Sequence, residues 1–135
     1  MQQGVGEAGS PDDSLSDQII GAAIEIHRYL GPGLLESAYE ECLCHELSLR
    51  GVPFRRQVAL PLSYKGVSLD CSYRLDVVVA ERMIVEVKAV ERLNGLHMAQ
   101  LLTYLKLTRC KVGLLINFNV PLLKHGLRRL TLREI

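Results

Sequence analysis

Asp76, Glu86 and Lys88 lie within RLDVVVAERMIVEVK (residues 74–88), three charges in sequence that otherwise reads as two apolar strands. Ionised groups among buried side chains are costly unless they are paired or bind a cation. Glu86 and Lys88 are two apart, so on a strand both leave one face while Val85 and Val87 leave the other. Whether Asp76 joins them depends on the register of the hairpin. It stands opposite Glu86 when an odd loop such as Ala80-Glu81-Arg82, or a bulge, connects the strands. A two-residue Glu81-Arg82 loop would set Asp76 opposite Val87, on the wrong side.

In the odd register two carboxylates converge. Such oxygen ligands suit Mg²⁺ or Mn²⁺, ions that keep several waters and accept phosphate oxygens in their remaining positions. Lys88 beside them can stabilise charge building on a scissile phosphate or help orient the attacking water, whose pKa the metal lowers. The same three residues can also form a buried Asp/Glu–Lys salt bridge with no catalytic part.

The elements that position these residues follow from periodicity. Met1 to Asp13 reads as a flexible leader, and residues 14–135 as a single domain whose first helix is capped by Asp12, Asp13, Ser14 or Ser16. Ile19, Ala22, Ala23, Ile26 and Leu30 recur at helical spacing, and Gly31-Pro32-Gly33 ends that helix. Leu34–Leu49 is a second helix with a Glu-rich polar side and Gly51 at its C-terminal cap; Glu36 and Glu40 form a carboxylate ridge on its first turns. Phe54–Leu62 and Val67–Tyr73, joined at Tyr64-Lys65-Gly66, continue into the hairpin as an antiparallel meander. A helix then runs from Asn94 or Gly95 to about Thr108. Lys111–Phe118 is a strand buried on both faces and parallel to Met83–Val90, and Leu127–Leu132 is a last strand or helical turn.

Composition bounds the function. The chain of 135 residues has 48% hydrophobic residues, seven aromatics and no Trp, which fits one core built on Leu, Val and Ile. No secretion signal and no membrane-spanning run is seen, so a soluble cytoplasmic protein with reduced Cys42, Cys44, Cys71 and Cys110 is expected. Residues 1–50 hold nine acids against two bases (−7) and residues 51–135 fourteen bases against six acids (+8). Arg55, Arg56, Lys106, Arg109, Lys111, Lys124, Arg128, Arg129 and Arg133 either line a phosphate-binding face or form a solvated surface.

Asp76 followed by Glu86-Val87-Lys88 resembles the D-xn-ExK signature of the PD-(D/E)XK nuclease superfamily, with Leu75 where the superfamily's name has Pro. Gly33-Leu-Leu-Glu36-Ser-Ala-Tyr39 is similar to the motif that names the GxxExxY protein family within it, and Gln100-Leu-Leu-Thr-Tyr104 resembles the QxxxY element of RecB-like nucleases. The resemblance runs from about Leu15 to Leu130. It implies a restriction-endonuclease-like α/β core, a mixed sheet (antiparallel meander plus a parallel βαβ unit) flanked by helices. It further implies Glu36, Asp76 and Glu86 as metal-site carboxylates and Lys88 as the catalytic lysine. His97, Gln100 and Tyr104 share one helical face, so the amide and hydroxyl could reach the metal or a phosphate, whereas His97 also reads as an ordinary surface or helix-packing residue.

Three readings follow. The first is a Mg²⁺- or Mn²⁺-dependent nuclease hydrolysing phosphodiester bonds of DNA or RNA with a metal-activated water, DNA being favoured, alone or as a homodimer. With few aromatics, it would hold its substrate through phosphates rather than by base readout. The second is a nucleic-acid-binding or regulatory subunit that keeps the fold and acts only with a partner. The third is a metal-free domain in which Asp76, Glu86 and Lys88 form an ion-pair network.

Overall fold

A computed structural model describes residues 10–70 and 73–132. Helix α1 spans Pro11–Leu30 and α2 spans Glu36–Leu49. Strand β1 is Phe54–Ala59, β2 Leu62–Tyr64, β3 Val67–Leu69, β4 Arg74–Val79 and β5 Met83–Lys88. Helix α3 (Gly95–Leu107), strand β6 (Val112–Asn117), a 3-10 turn (Leu123–Gly126) and strand β7 (Leu127–Thr131) complete the chain.

Local signals account for the helix ends. The Ser10 side chain accepts from Asp13 N–H at 3.0 Å and Pro11 occupies the first turn, so α1 starts ahead of the expected leader boundary at Asp13. The proline's missing N–H is no loss there. Helix α2 ends in a Schellman motif: Gly51 sits at φ 72°, Gly51 N–H bonds Ser48 C=O at 3.0 Å and Val52 N–H bonds Leu47 C=O at 2.9 Å. Asn94 caps α3 by accepting from Leu96 and His97 N–H.

The main sheet has five strands in the order β1-β4-β5-β6-β7, with only β5 and β6 parallel. The restriction-endonuclease-like mixed sheet is therefore present, with one change to the meander. β1 pairs directly with β4, and β2 and β3 form a separate two-stranded ribbon outside the main sheet. The alternation of residues 62–69 is that of a strand pair, but nothing in it says which sheet the pair joins.

Each sheet face packs against helices. On one side α1 and α2 bring Ile19, Ala23, Leu43 and Leu47 against Val77, Val85, Leu114 and Ile116. On the other, α3 brings Leu101, Tyr104 and Leu105 against Val78, Ile84 and Leu115. Strand β6 lies between the layers with all six residues buried, which explains its unbroken apolar run. A Cβ on Gly113 would lie 2.9 Å from the Leu101 methyls, so α3 sits close on the sheet at that point.

The hairpin has the odd register. Val77 pairs with Val85, Val78 with Ile84 and Val79 with Met83, which sets Asp76 across from Glu86. Ala80 and Glu81 both have φ 54° and Arg82 N–H bonds Val79 C=O at 3.0 Å, a type I′ turn followed by one extra residue, Arg82. A bidentate Arg55–Glu81 pair, at 2.6 and 2.8 Å, ties the turn to β1.

Candidate active site

The β4–β5 ladder stops one pair before Asp76, and the two carboxylates take over the strands' amides. Asp76 N–H donates to Glu86 Oε2 at 2.9 Å, and Val87 N–H donates to Asp76 Oδ2 at 2.8 Å. On the other flank the β1 register would set Gln57 opposite Asp76, but Gln57 has φ 49° and leaves the ladder. Asp76 thus has no ladder partner on either side, and the sheet opens into a fork. Oδ1 of Asp76 and Oε1 of Glu86 accept no hydrogen bond among the described residues.

Electrostatics follow from this enclosure. Glu86 is buried, and desolvation, with the Asp76 carboxylate second, pushes it up to about 8. Burial also raises Asp76, opposed by the Val87 N–H and by Lys88. Lys88 is half-buried beside them. Its ammonium forms no ion pair within 4 Å and no hydrogen bond among the described residues. The salt-bridge reading of these three residues needs such a pair, so the geometry does not support it.

The other predicted residues reach this end of the sheet in different ways. Glu36, the first residue of α2, is exposed and accepts from Ala89 N–H at 3.2 Å, one residue beyond Lys88. Tyr104 is buried on α3; desolvation, and then Glu86, hold its hydroxyl above the ordinary tyrosine range, so it senses the fork. Gln100, one turn earlier on α3, is exposed and makes no hydrogen bond among the described residues. His97 is a cap: its Nδ1 accepts from Asn94 N–H at 3.1 Å. Among the described residues no group of three or more His, Cys, Asp or Glu side chains closes into a ready ligand cluster.

Two supporting residues have roles the sequence did not assign: Glu40, expected with Glu36 in an exposed carboxylate ridge, is buried instead, and Asn117 is the other. Glu40 is buried and accepts from Arg56 Nε and Nη2 and from Gln57 Nε2 at 3.0–3.1 Å. This bracing holds Gln57 out of the ladder. Its signal was present, because Glu40, Leu43 and Leu47 share helical spacing and therefore the buried face. Asn117, buried in β6, spans Val90, accepting from its N–H at 3.0 Å and donating to its C=O at 2.9 Å. It thereby fixes the chain just past Lys88; the signal was one amide in an apolar strand.

Tyr39 shows how the glycine turn serves the site. Its hydroxyl donates to Gly31 C=O at 2.6 Å and accepts from Leu34 N–H at 3.1 Å, while its ring stacks on Phe118 at 4.4 Å. Gly31 and Gly33, at φ 66° and 108°, make that turn accessible. Tyr39→Phe should lower stability by about 1–3 kcal/mol in urea unfolding, because two backbone groups lose their partner. An unchanged midpoint would show that the hydroxyl does not hold the turn.

Four of the expected phosphate-face cations are committed elsewhere, while Lys106, Arg109, Lys111 and Lys124 form no ion pair within 4 Å among the described residues. Arg55 pairs with Glu81, Arg56 with Glu40 and Arg129 with Asp13, while Arg128 donates to backbone carbonyls. The Arg56–Glu40 and Arg129–Asp13 pairs tie acidic α2 and α1 to the basic strands, which is where part of the lopsided charge goes. Arg133 lies outside the described residues, as does Cys71; Cys42, Cys44 and Cys110 are free thiols.

An α/β sandwich with a mixed sheet, whose central hairpin sets Asp76 across from Glu86 with Lys88 beside them, defines a nuclease-like architecture. A sequence profile described as the PD-(D/E)XK nuclease superfamily matches residues 13–130, and the chain belongs to that superfamily. No curated protein and no solved structure matches it significantly. No helix among the described residues is long and apolar enough to cross a membrane.

Proposed function

We propose that this chain is a divalent-metal-dependent nuclease that hydrolyses phosphodiester bonds, with DNA favoured over RNA, and that it belongs with the GxxExxY proteins. The observation that carries the reading is the fork. Among the described residues, two carboxylates each keep one oxygen without a donor, next to a lysine ammonium in no ion pair. The donor set fits the ion, since Mg²⁺ is commonly held by one or two carboxylates with waters and substrate oxygens completing the shell.

Asp76 and Glu86 would hold the ion, with Glu36 at the rim. The chemistry supplied by such an ion is a lower pKa for water and neutralisation of phosphate charge. The backbone N–H groups of Asp76 and Val87 fix both carboxylates, so little reorganisation is needed when charge develops. Lys88 places a positive charge beside the reacting phosphate. Tyr104 stays a neutral hydroxyl donor near Glu86, and Gln100 offers an amide one turn away.

Thermal melting against Mn²⁺ and Mg²⁺ tests the site. Ligation to the folded state alone adds about 2.7 kcal/mol at a hundred times Kd, so the melting temperature should climb with metal and fall back with chelator. A melting temperature indifferent to millimolar metal would contradict the reading and favour a metal-free domain.

A further inference from the structure

The β2–β3 ribbon, which the chain leaves to enter β4, has an uncovered apolar face. Leu62 pairs with Leu69, Ser63 with Ser68 and Tyr64 with Val67. Residues two apart on a strand share a face, so Leu62, Tyr64, Val67 and Leu69 line one side and the serines the other. That apolar side is open to solvent: Tyr64 is 62% exposed and Val67 57%. Two-stranded ribbons with no cover are marginal in water, so such a face calls for an occupant.

The chemistry of the ribbon points to its occupant. Lys65 stands 5.4 Å from the Tyr64 ring centroid at the tip. At the base, Leu60 N–H bonds Tyr73 C=O, and Tyr73, 45% exposed, lies within electrostatic reach of Tyr104. Arg74 follows Tyr73 and begins the strand that carries Asp76. Lys65 and Arg74 form no ion pair within 4 Å among the described residues, and segment 60–74 carries these two bases against Asp70. Aromatic rings alternating with cations are the means by which proteins hold a single nucleic-acid strand, bases on rings and phosphates on cations. A duplex keeps its base faces stacked inside and cannot use the rings in that way.

We infer that the ribbon is a single-strand arm, on which Tyr64 and Tyr73 stack unpaired bases while Lys65 and Arg74 meet the phosphates, leading the strand to the fork. The arm supplies the stacking equipment that the low aromatic content of the chain argues against, because two of its five tyrosines stand here in the open. It rests on the nuclease reading for its purpose, but its binding is separable from cleavage.

The test is fluorescence anisotropy of a labelled twelve-residue oligothymidylate and of a duplex of equal length, both in EDTA with the full chain. Tyr64→Ala should weaken single-strand binding about tenfold. Tyr64→Phe should bind as wild type does, and duplex binding should change less than twofold in either variant. Undiminished binding by Tyr64→Ala, an equal loss on strand and duplex, or no binding by wild type would overturn the arm. A smaller assembly for Tyr64→Ala, with unchanged binding, would overturn it in favour of contact between copies. Because no metal is present, the arm can fail while Mg²⁺-dependent cleavage persists, and the reverse.

Discussion

Lys88→Ala should abolish cleavage while leaving the melting temperature in metal-free buffer within about 2 °C of wild type. Removing one preorganised charge or donor aimed at developing negative charge costs about 10²–10³-fold in rate. Nothing structural opposes that loss, because the ammonium is in no ion pair and no hydrogen bond among the described residues. The aliphatic stem is only half-buried, so little apolar contact disappears. Cleavage of a labelled oligonucleotide and a thermal melt, run on one preparation, read both halves. Equal cleavage by wild type and variant would point to a contaminating nuclease and sink the role of Lys88. A large fall in melting temperature would show that the lysine is part of the framework.

Glu86→Gln should move activity and stability in opposite directions. In the folded chain Glu86 is raised to about 8 from an ordinary value near 4.5, first by desolvation and then by Asp76. Between those two values the folded state binds more protons than the unfolded state, so stability falls as pH rises through the window. Gln removes the ionisation and keeps a carbonyl oxygen for Asp76 N–H. In EDTA the variant should match wild type near pH 5. By pH 8–9 it should exceed it by on the order of 1 kcal/mol, roughly 3–5 °C at this size. If Glu86 holds the proposed ion, the same change removes a charged ligand, so cleavage and the Mn²⁺ response should both be lost. A variant less stable than wild type at pH 8–9 would mean that the carboxylate is favourably ionised in the fork.

Much of this was written in the sequence, for identifiable reasons. Asp76 stands directly opposite Glu86 when an odd connection joins the strands, so the Ala80-Glu81-Arg82 connection could be anticipated and is the one found. The parallel strand was legible because Val112–Asn117 is apolar without alternation, which only a two-sided burial explains. The start of α1 was missed although Ser10-Pro11 is a sound cap-and-first-turn pair, because the surrounding Gly and Gln drew the reading toward a leader.

Other features depend on contacts between distant segments. Gln57 leaves its ladder because Glu40, on a helix 17 residues earlier in the chain, takes its amide. Arg129 is absorbed by Asp13, 116 residues away, so no local pattern distinguishes it from a phosphate-binding cation. The ribbon alternates as any half-buried strand pair does, and only the topology shows that its apolar side lacks a covering element.

Incubating purified wild-type chain and Asp76→Asn with labelled single-stranded DNA and RNA, in Mg²⁺ and in EDTA, tests the central claim most directly. The account predicts cleavage by wild type in Mg²⁺, none in EDTA, and none by Asp76→Asn in either. Cleavage that survives chelation or the Asp76 substitution, or a folded wild type that cleaves neither strand in Mg²⁺, would contradict it.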